Sequence, residues 1–149
     1  MKNYTVRWLH PDDKENWLTM WQEYMAFYQI SLPADVVDNT LRTLLSDNKN
    51  SGCLIACDPQ NVAVGFLTFI THLSTWAIEP ECYVHDLYVK PECQRGGVAK
   101  KLMDELKHLG KLRHWSRVYW LTGPNNRVAQ ALYDNIANRE PWIVYTMFD

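Results

Sequence analysis

Tyr83-Val84-His85-Asp86-Leu87-Tyr88-Val89, followed shortly by Gln94-Arg95-Gly96-Gly97-Val98-Ala99, decides how this chain folds. The first part is rich in β-branched and aromatic residues and reads as a strand. The second carries a glycine pair and opens a run in which Val98, Leu102, Leu106 and Leu109 share one helix face. A strand that enters a glycine turn and leaves it as a helix is a common way to hold a phosphate. Glycines let the backbone come close, and the first free N–H groups of the helix point at the anion. A plain tight turn carries the same local signature, so the surrounding sequence has to separate the two.

Working outward, residues 4–9 read as a strand, and Pro11-Asp12 as a helix start with Asp12 as cap and Glu15 as its reciprocal partner. Trp17, Met20, Trp21, Tyr24 and Tyr28 recur at helical spacing and give one broad aromatic face. Such a face is core material, and its far end, Tyr24 and Tyr28, also suits the border of a pocket. After a break at Ser31-Leu32-Pro33, a second helix carries Val37, Leu41, Leu44 and Leu45 in register. Residues 53–57 and 62–70 read as a hairpin, with Gly65 marking a bulge or a close approach. A loop over 71–80 leads to the central strand, and Gly110 reads as the stop of the helix beyond it. Residues 117–122 read as a strand, 126–136 as a helix and 142–148 as a closing strand. Hairpin-linked strands imply an antiparallel part and helix-separated strands a parallel one. The expected fold is therefore α/β (α+β), a mixed and mostly antiparallel sheet flanked by helices. A dinucleotide-binding fold is disfavoured, because the glycine turn comes late and lacks further strand–helix units around it.

Composition narrows the classes. With 149 residues, 47% of them hydrophobic and 7 of them tryptophan, residues 1–149 are expected to form one domain with a substantial core. A net charge of −2 argues against a general nucleic-acid binder. The opening Met1-Lys2-Asn3-Tyr4-Thr5-Val6 lacks a signal peptide's apolar run, and no stretch has membrane-spanning length, so a cytoplasmic protein with no membrane or nucleic-acid partner is expected. Cys53 and Cys57 fall at even spacing in an apolar strand and would face the same side; with Cys82 and Cys93 they read as free, buried thiols. No Cys or His spacing supports zinc.

Taken together these segments resemble the GNAT N-acetyltransferase superfamily. Its phosphate loop, Q/R-x-x-G-x-G/A, is matched by Gln94 to Ala99, and its L-x-V-x-P signature by Leu87-Tyr88-Val89-Lys90-Pro91. Its downstream N-x-x-A-x-x-L-Y pattern is matched by Asn126, Ala129, Leu132 and Tyr133. Each motif is short, but the three stand in the family's order and spacing. The N-terminal half looks like the Hpa-type branch known from yeast, through Trp17, Trp21, Tyr24, Phe27 and Tyr28 and through Thr75-Trp76. That branch is associated with histone, polyamine and D-amino-acid acetylation, which leaves the acceptor open.

The resemblance implies a splayed parallel strand pair, acetyl-CoA as donor without a metal, and direct transfer to a primary amine. A small amine, polyamine or amino acid is the preferred acceptor. Protein or histone lysine acetylation, and a non-catalytic CoA-binding module, are the alternatives. Family habit and exposed aromatics imply a homodimer. Backbone N–H groups of Arg95, Gly96, Gly97, Val98, Ala99 and Lys100, after Gln94, would cradle the diphosphate, while Lys101 is assigned to a solvated helix face. Leu87 and Val89 would offer main-chain groups to the pantetheine arm and the thioester carbonyl. Asn126 would bond the CoA arm, cap the last helix, or both. Tyr133 matches the general acid beside the cofactor. His85 stands where relatives often carry a Glu base, with solvent as the other route for that proton. Asp86, expected on the opposite face of the strand, would act as base, orient a partner, or bind a cationic acceptor together with Tyr24 and Tyr28. Ala137 and Asn138 replace the family's usual Gly-aromatic pair near the acceptor.

Overall fold

The computed structural model describes residues 2–148. Strands β1 (Thr5–Trp8), β2 (Ser51–Cys57), β3 (Ala63–His72), β4 (Glu81–Val89) and β5 (Arg117–Trp120) form one sheet in that spatial order. The first four are antiparallel and β4 pairs β5 in parallel. Helices α1 (Lys14–Phe27) and α2 (Ala34–Leu45) come before β2; α3 (Val98–Arg113) crosses from β4 to β5; α4 (Arg127–Ile136) follows β5.

Both faces of the sheet are covered, which is why residues 53–57 are a continuous apolar run. Cys53, Ile55 and Cys57 turn toward Trp17, Met20, Trp21 and Leu41 of α1 and α2. Leu54 and Ala56 turn the other way, toward Val98, Leu102, Met103 and Leu106 of α3. The even spacing of Cys53 and Cys57 does place them on one face, and all four cysteines are free and buried. Gly65 marks a close approach: a Cβ there would come within 2.7 Å of the Tyr88 carbonyl oxygen.

Three local expectations are corrected. The cap before α1 is not Asp12 with Glu15. His10 caps a 3-10 turn over Pro11–Asp13, and Asp13 answers by accepting from the His10 N–H at 2.8 Å. The same Asp13 carboxylate takes two hydrogen bonds from Arg7, at 2.7 and 2.9 Å, and that tie to β1 favours the earlier cap. Gly110 does not stop α3. It lies inside the helix because the ring of Trp115 needs that space (a Cβ would stand 3.0 Å from it), and His114 at φ +59° ends the helix instead. Lys101 is exposed, and its ammonium also donates to the Tyr4 carbonyl. Residues 142–148 form no strand, because none of the described residues pairs with them.

Candidate active site at the parting of β4 and β5

The loop after β4 ends in Gly97 at φ +77°, a left-handed conformation that puts a strain on any side chain. No side chain caps α3, and the first intrahelical bond belongs to Lys101, whose N–H donates to the Gly97 carbonyl at 3.0 Å. The N–H groups of Val98, Ala99 and Lys100 are therefore open at the positive end of a 16-residue helix. That is a ready cradle for a diphosphate. Gly96 differs: its N–H already donates to the Cys93 carbonyl at 3.1 Å. The Gln94 amide donates to the Val89 carbonyl at 3.1 Å and ties the loop back to the end of β4. Lys100 pairs with Asp104 at 2.7 Å, one helical turn on, while Arg95 is exposed.

β4 keeps its parallel partner only over Glu81 to Val84, matched with Arg117 to Trp120. From His85 to Val89 it has no strand partner on the β5 side among the described residues, so main-chain groups of Leu87 and Val89 border an opening directly before the loop, where the Val89 carbonyl is held by Gln94. His85 is also the extra residue of a β-bulge, since β3 pairs Thr68 with Asp86 and Phe69 with Val84. The bulge overturns the expectation that Asp86 faces away from His85. His85 Nδ1 lies 3.3 Å from Asp86 Oδ1. That contact raises the His85 pKa above its ordinary value, against the burial that lowers it.

Asp86 is buried, 8% exposed, on the α1 side of the sheet. Burial, and after it the Asp86 carboxylate, drives the Tyr24 hydroxyl pKa upward. Thr68, directly across from Asp86, has a buried hydroxyl with no hydrogen-bond partner among the described residues. The Tyr24 ring meets Tyr28 edge-on at 5.1 Å, and half of Tyr28 is exposed.

Tyr133 stands on α4 with its ring edge-on to Trp120 at 5.3 Å. Burial, then Tyr28, raises its pKa, so its phenol stays protonated through the neutral range. Asn126 caps α4 by accepting from the Ala129 N–H at 3.4 Å, which leaves its amide N–H groups available. Tyr133 borders an open cleft of about 1130 Å³, together with Trp76, Tyr83, Trp120, Ala137 and Asn138. His85, Asp86, Tyr24 and Tyr28 do not line that cleft. Tyr83 joins the two groups, because it forms part of the cleft wall and its ring meets the His85 ring at 5.5 Å. Among the described residues no group of three or more His, Cys, Asp or Glu side chains is placed to hold a metal, and no helix is long and apolar enough to cross a membrane.

A family model described as the Acetyltransferase (GNAT) family matches residues 7–136. The chain belongs to the GNAT acetyltransferase family. It is similar to the D-amino-acid N-acetyltransferase HPA3 of Saccharomyces cerevisiae, 29% identical over 141 residues that cover 94% of this chain and 88% of that one. It is equally similar, at 29% over 154 residues, to the thialysine N-epsilon-acetyltransferase of Caenorhabditis elegans, with 99% and 93% of the two chains covered. Among solved structures, the aminoglycoside N-acetyltransferase AAC(6')-Iy in complex with CoA superposes with a TM-score of 0.82 at 18% identity, covering 100% of this chain and 97% of that one. A probable acetyltransferase superposes at 0.84 with 23% identity and 96% of each chain covered. At such identities these two likenesses establish the fold. The protein is thus a GNAT N-acetyltransferase, and the parted strand pair and open loop lie where the family's motifs fall in its sequence.

Thr68, Tyr83 and Trp120 are the members of this site that the sequence did not single out. Their place depends on cross-strand register and on the bulge, which no local pattern reports.

Proposed function

We propose that this chain transfers an acetyl group from acetyl-CoA directly to the primary amine of a small molecule, an amino acid or polyamine. The observation that carries the proposal is the free edge of β4 from His85 to Val89, running straight into three uncapped N–H groups at α3. Acetyl-CoA supplies a thioester whose carbonyl carbon accepts the amine. Val98, Ala99 and Lys100 hold the diphosphate through backbone N–H groups, with Arg95 and Gly97 forming the rim. A main-chain N–H of the free β4 edge, at Leu87 or Val89, meets charge developing on the carbonyl oxygen. Asn126 directs its free amide N–H groups toward the arm that lies along that edge.

Proton movement falls to two side chains. His85 has Nδ1 engaged by Asp86, so Nε2 takes the proton from the incoming ammonium. Tyr133 donates its hydroxyl proton to the departing thiolate. Asp86, with Tyr24 and Tyr28 on the same side, favours a cationic acceptor. The amino-acid substrates in the names of the yeast and nematode relatives favour the same class. Free buried cysteines support a cytoplasmic setting.

The test is thiol release from acetyl-CoA with a panel of D- and L-amino acids, thialysine, spermidine and a lysine peptide. Turnover on free amines and none on peptide is expected. Acetylation of the peptide alone would overturn the small-acceptor reading.

A further inference from the structure

Beyond His85 the sheet continues in two cross-strand rows. Tyr83 on β4 stands directly across from Tyr119 on β5, and further along Glu81 stands between His72 on β3 and Arg117 on β5. The Tyr83 ring lies 5.5 Å from the His85 ring and 5.0 Å from that of Tyr119. Glu81, Tyr83, Arg117 and Tyr119 all line the cleft that Tyr133 borders. Tyr119 thus lies one aromatic ring beyond His85, where the part of an acceptor remote from its reacting amine would rest.

The proton of the Tyr119 hydroxyl is already committed. His72 Nδ1 is 2.9 Å from the Leu73 carbonyl oxygen, which can only accept, so Nδ1 carries the imidazole proton. In the neutral ring Nε2 is then bare and must accept. Its partner is the Tyr119 hydroxyl at 2.7 Å, which therefore donates to His72. The tyrosine oxygen keeps lone pairs and has no proton to offer the cleft. Its ring is held in place by the Arg117 guanidinium, 4.2 Å above it, which is anchored by Glu81 at 2.6 Å and Glu140 at 3.1 Å. Those same ion pairs engage the charges beside it.

We infer that Tyr119 selects acceptors that carry a hydrogen-bond donor, an ammonium or a hydroxyl, at the end remote from the reacting amine, and that His72 enforces the choice by taking the tyrosine proton. The inference rests on the small-acceptor reading above, with the reacting amine at His85. An end group with lone pairs alone meets lone pairs and is refused, and an alkyl end leaves the Tyr119 oxygen without a donor.

The test is thiol release from acetyl-CoA at about pH 8, above the ordinary imidazole range. Four amines on one six-carbon chain are compared, ending in methyl, hydroxyl, a second amine or methoxy. In wild type, kcat/KM for the alcohol and for the diamine, counted per amine, should exceed that for the methyl end by about threefold to tenfold, the scale of one hydrogen bond. The ether should gain nothing. Tyr119→Phe should abolish the ratio. His72→Phe retains a ring to meet Tyr119 edge-on, as the imidazole does at 5.8 Å, but frees the tyrosine proton, so the ether should rise above the methyl end. Nitrogen-15 spectra of wild type should place the His72 proton on Nδ1. Equal kcat/KM for all four amines, or an ether as good as the alcohol, overturns the inference and leaves acetylation of small amines standing. So does an undiminished ratio in Tyr119→Phe, an ether that gains nothing in His72→Phe, or a His72 proton on Nε2. No thiol release with any of the four overturns that reading and this inference with it.

Discussion

Replacing Gly97 by Glu, with Gly97→Ala beside it, isolates the anion cradle from the backbone that shapes it. Both side chains must adopt φ +77°, and nothing lies within 4 Å of the Cβ they would add. Each therefore costs about 1–2 kcal/mol of left-handed strain and no clash. For a chain of this size that lowers Tm by about 2–8 °C, equally in the two variants. They differ in one carboxylate beside the N–H groups of Val98, Ala99 and Lys100. At about 6 Å from a phosphate charge, its repulsion runs from about 0.7 kcal/mol in water to about 3 kcal/mol at an effective dielectric of about 20. That is roughly a 3-fold to 100-fold weakening for each phosphate charge. Calorimetric titration of CoA into the three folded proteins should rank them wild type, Ala, Glu. Glu should lie tenfold or more below Ala, and the gap should shrink with added salt. Equal CoA affinity in Gly97→Glu and Gly97→Ala would refute the cradle.

Four further outcomes are expected. Tyr133→Phe keeps its packing on Trp120 and its CoA affinity, but lowers kcat by about 100-fold, the scale of a lost general acid; unchanged turnover in steady-state thiol release contradicts that role. Asp86→Asn removes the carboxylate that raises the His85 pKa, so the acid limb of kcat/KM moves to lower pH, as a pH–rate profile will record. Stability from the raised His85 pKa is fully present below its unfolded value of about 6.5 and is lost as pH rises through the folded one, so this variant's melting deficit is largest on the acid side. Arg7 holds the Asp13 carboxyl below its usual range, so Asp13→Asn destabilises by about 1–3 kcal/mol at neutral pH. Wild type loses that advantage as pH falls through the depressed folded value, so thermal melts at pH 7 and pH 3 should diverge and then converge. Leu102→Ala, at a side chain with no exposed surface, costs about 2–5 kcal/mol in denaturant unfolding.

What the sequence disclosed was local. Leu41, Leu102 and the aromatic run from Trp17 to Tyr24 announce their helices because periodicity is written residue by residue. Gln94 to Ala99 announce the loop because a glycine turn before a helix has a chemical signature. The pairing of Thr68 with Asp86 was illegible, since it depends on how far β3 slides along β4. The cap before α1 was misplaced for a similar reason: Asp13 answers to Arg7 on a strand, and a pattern confined to neighbours points to Asp12. Residues 142–148 carry every sign of a strand, but a strand is defined by a partner, and none of the described strands pairs with them.

The bulge at His85 makes the parity of β4 a matter of one residue. Before it, Cys82 and Val84 face α3; after it, Leu87 and Val89 do so, while Asp86 and Tyr88 turn to the aromatic side. Deleting His85 would turn β4 into a regular strand, with Val84, Leu87 and Val89 still under α3 and Asp86 still on the aromatic side, and would remove the imidazole that the bulge sets beside the Asp86 carboxylate. The packing of β4 thus has no need of the extra residue; what the bulge adds is an imidazole and a carboxylate set side by side.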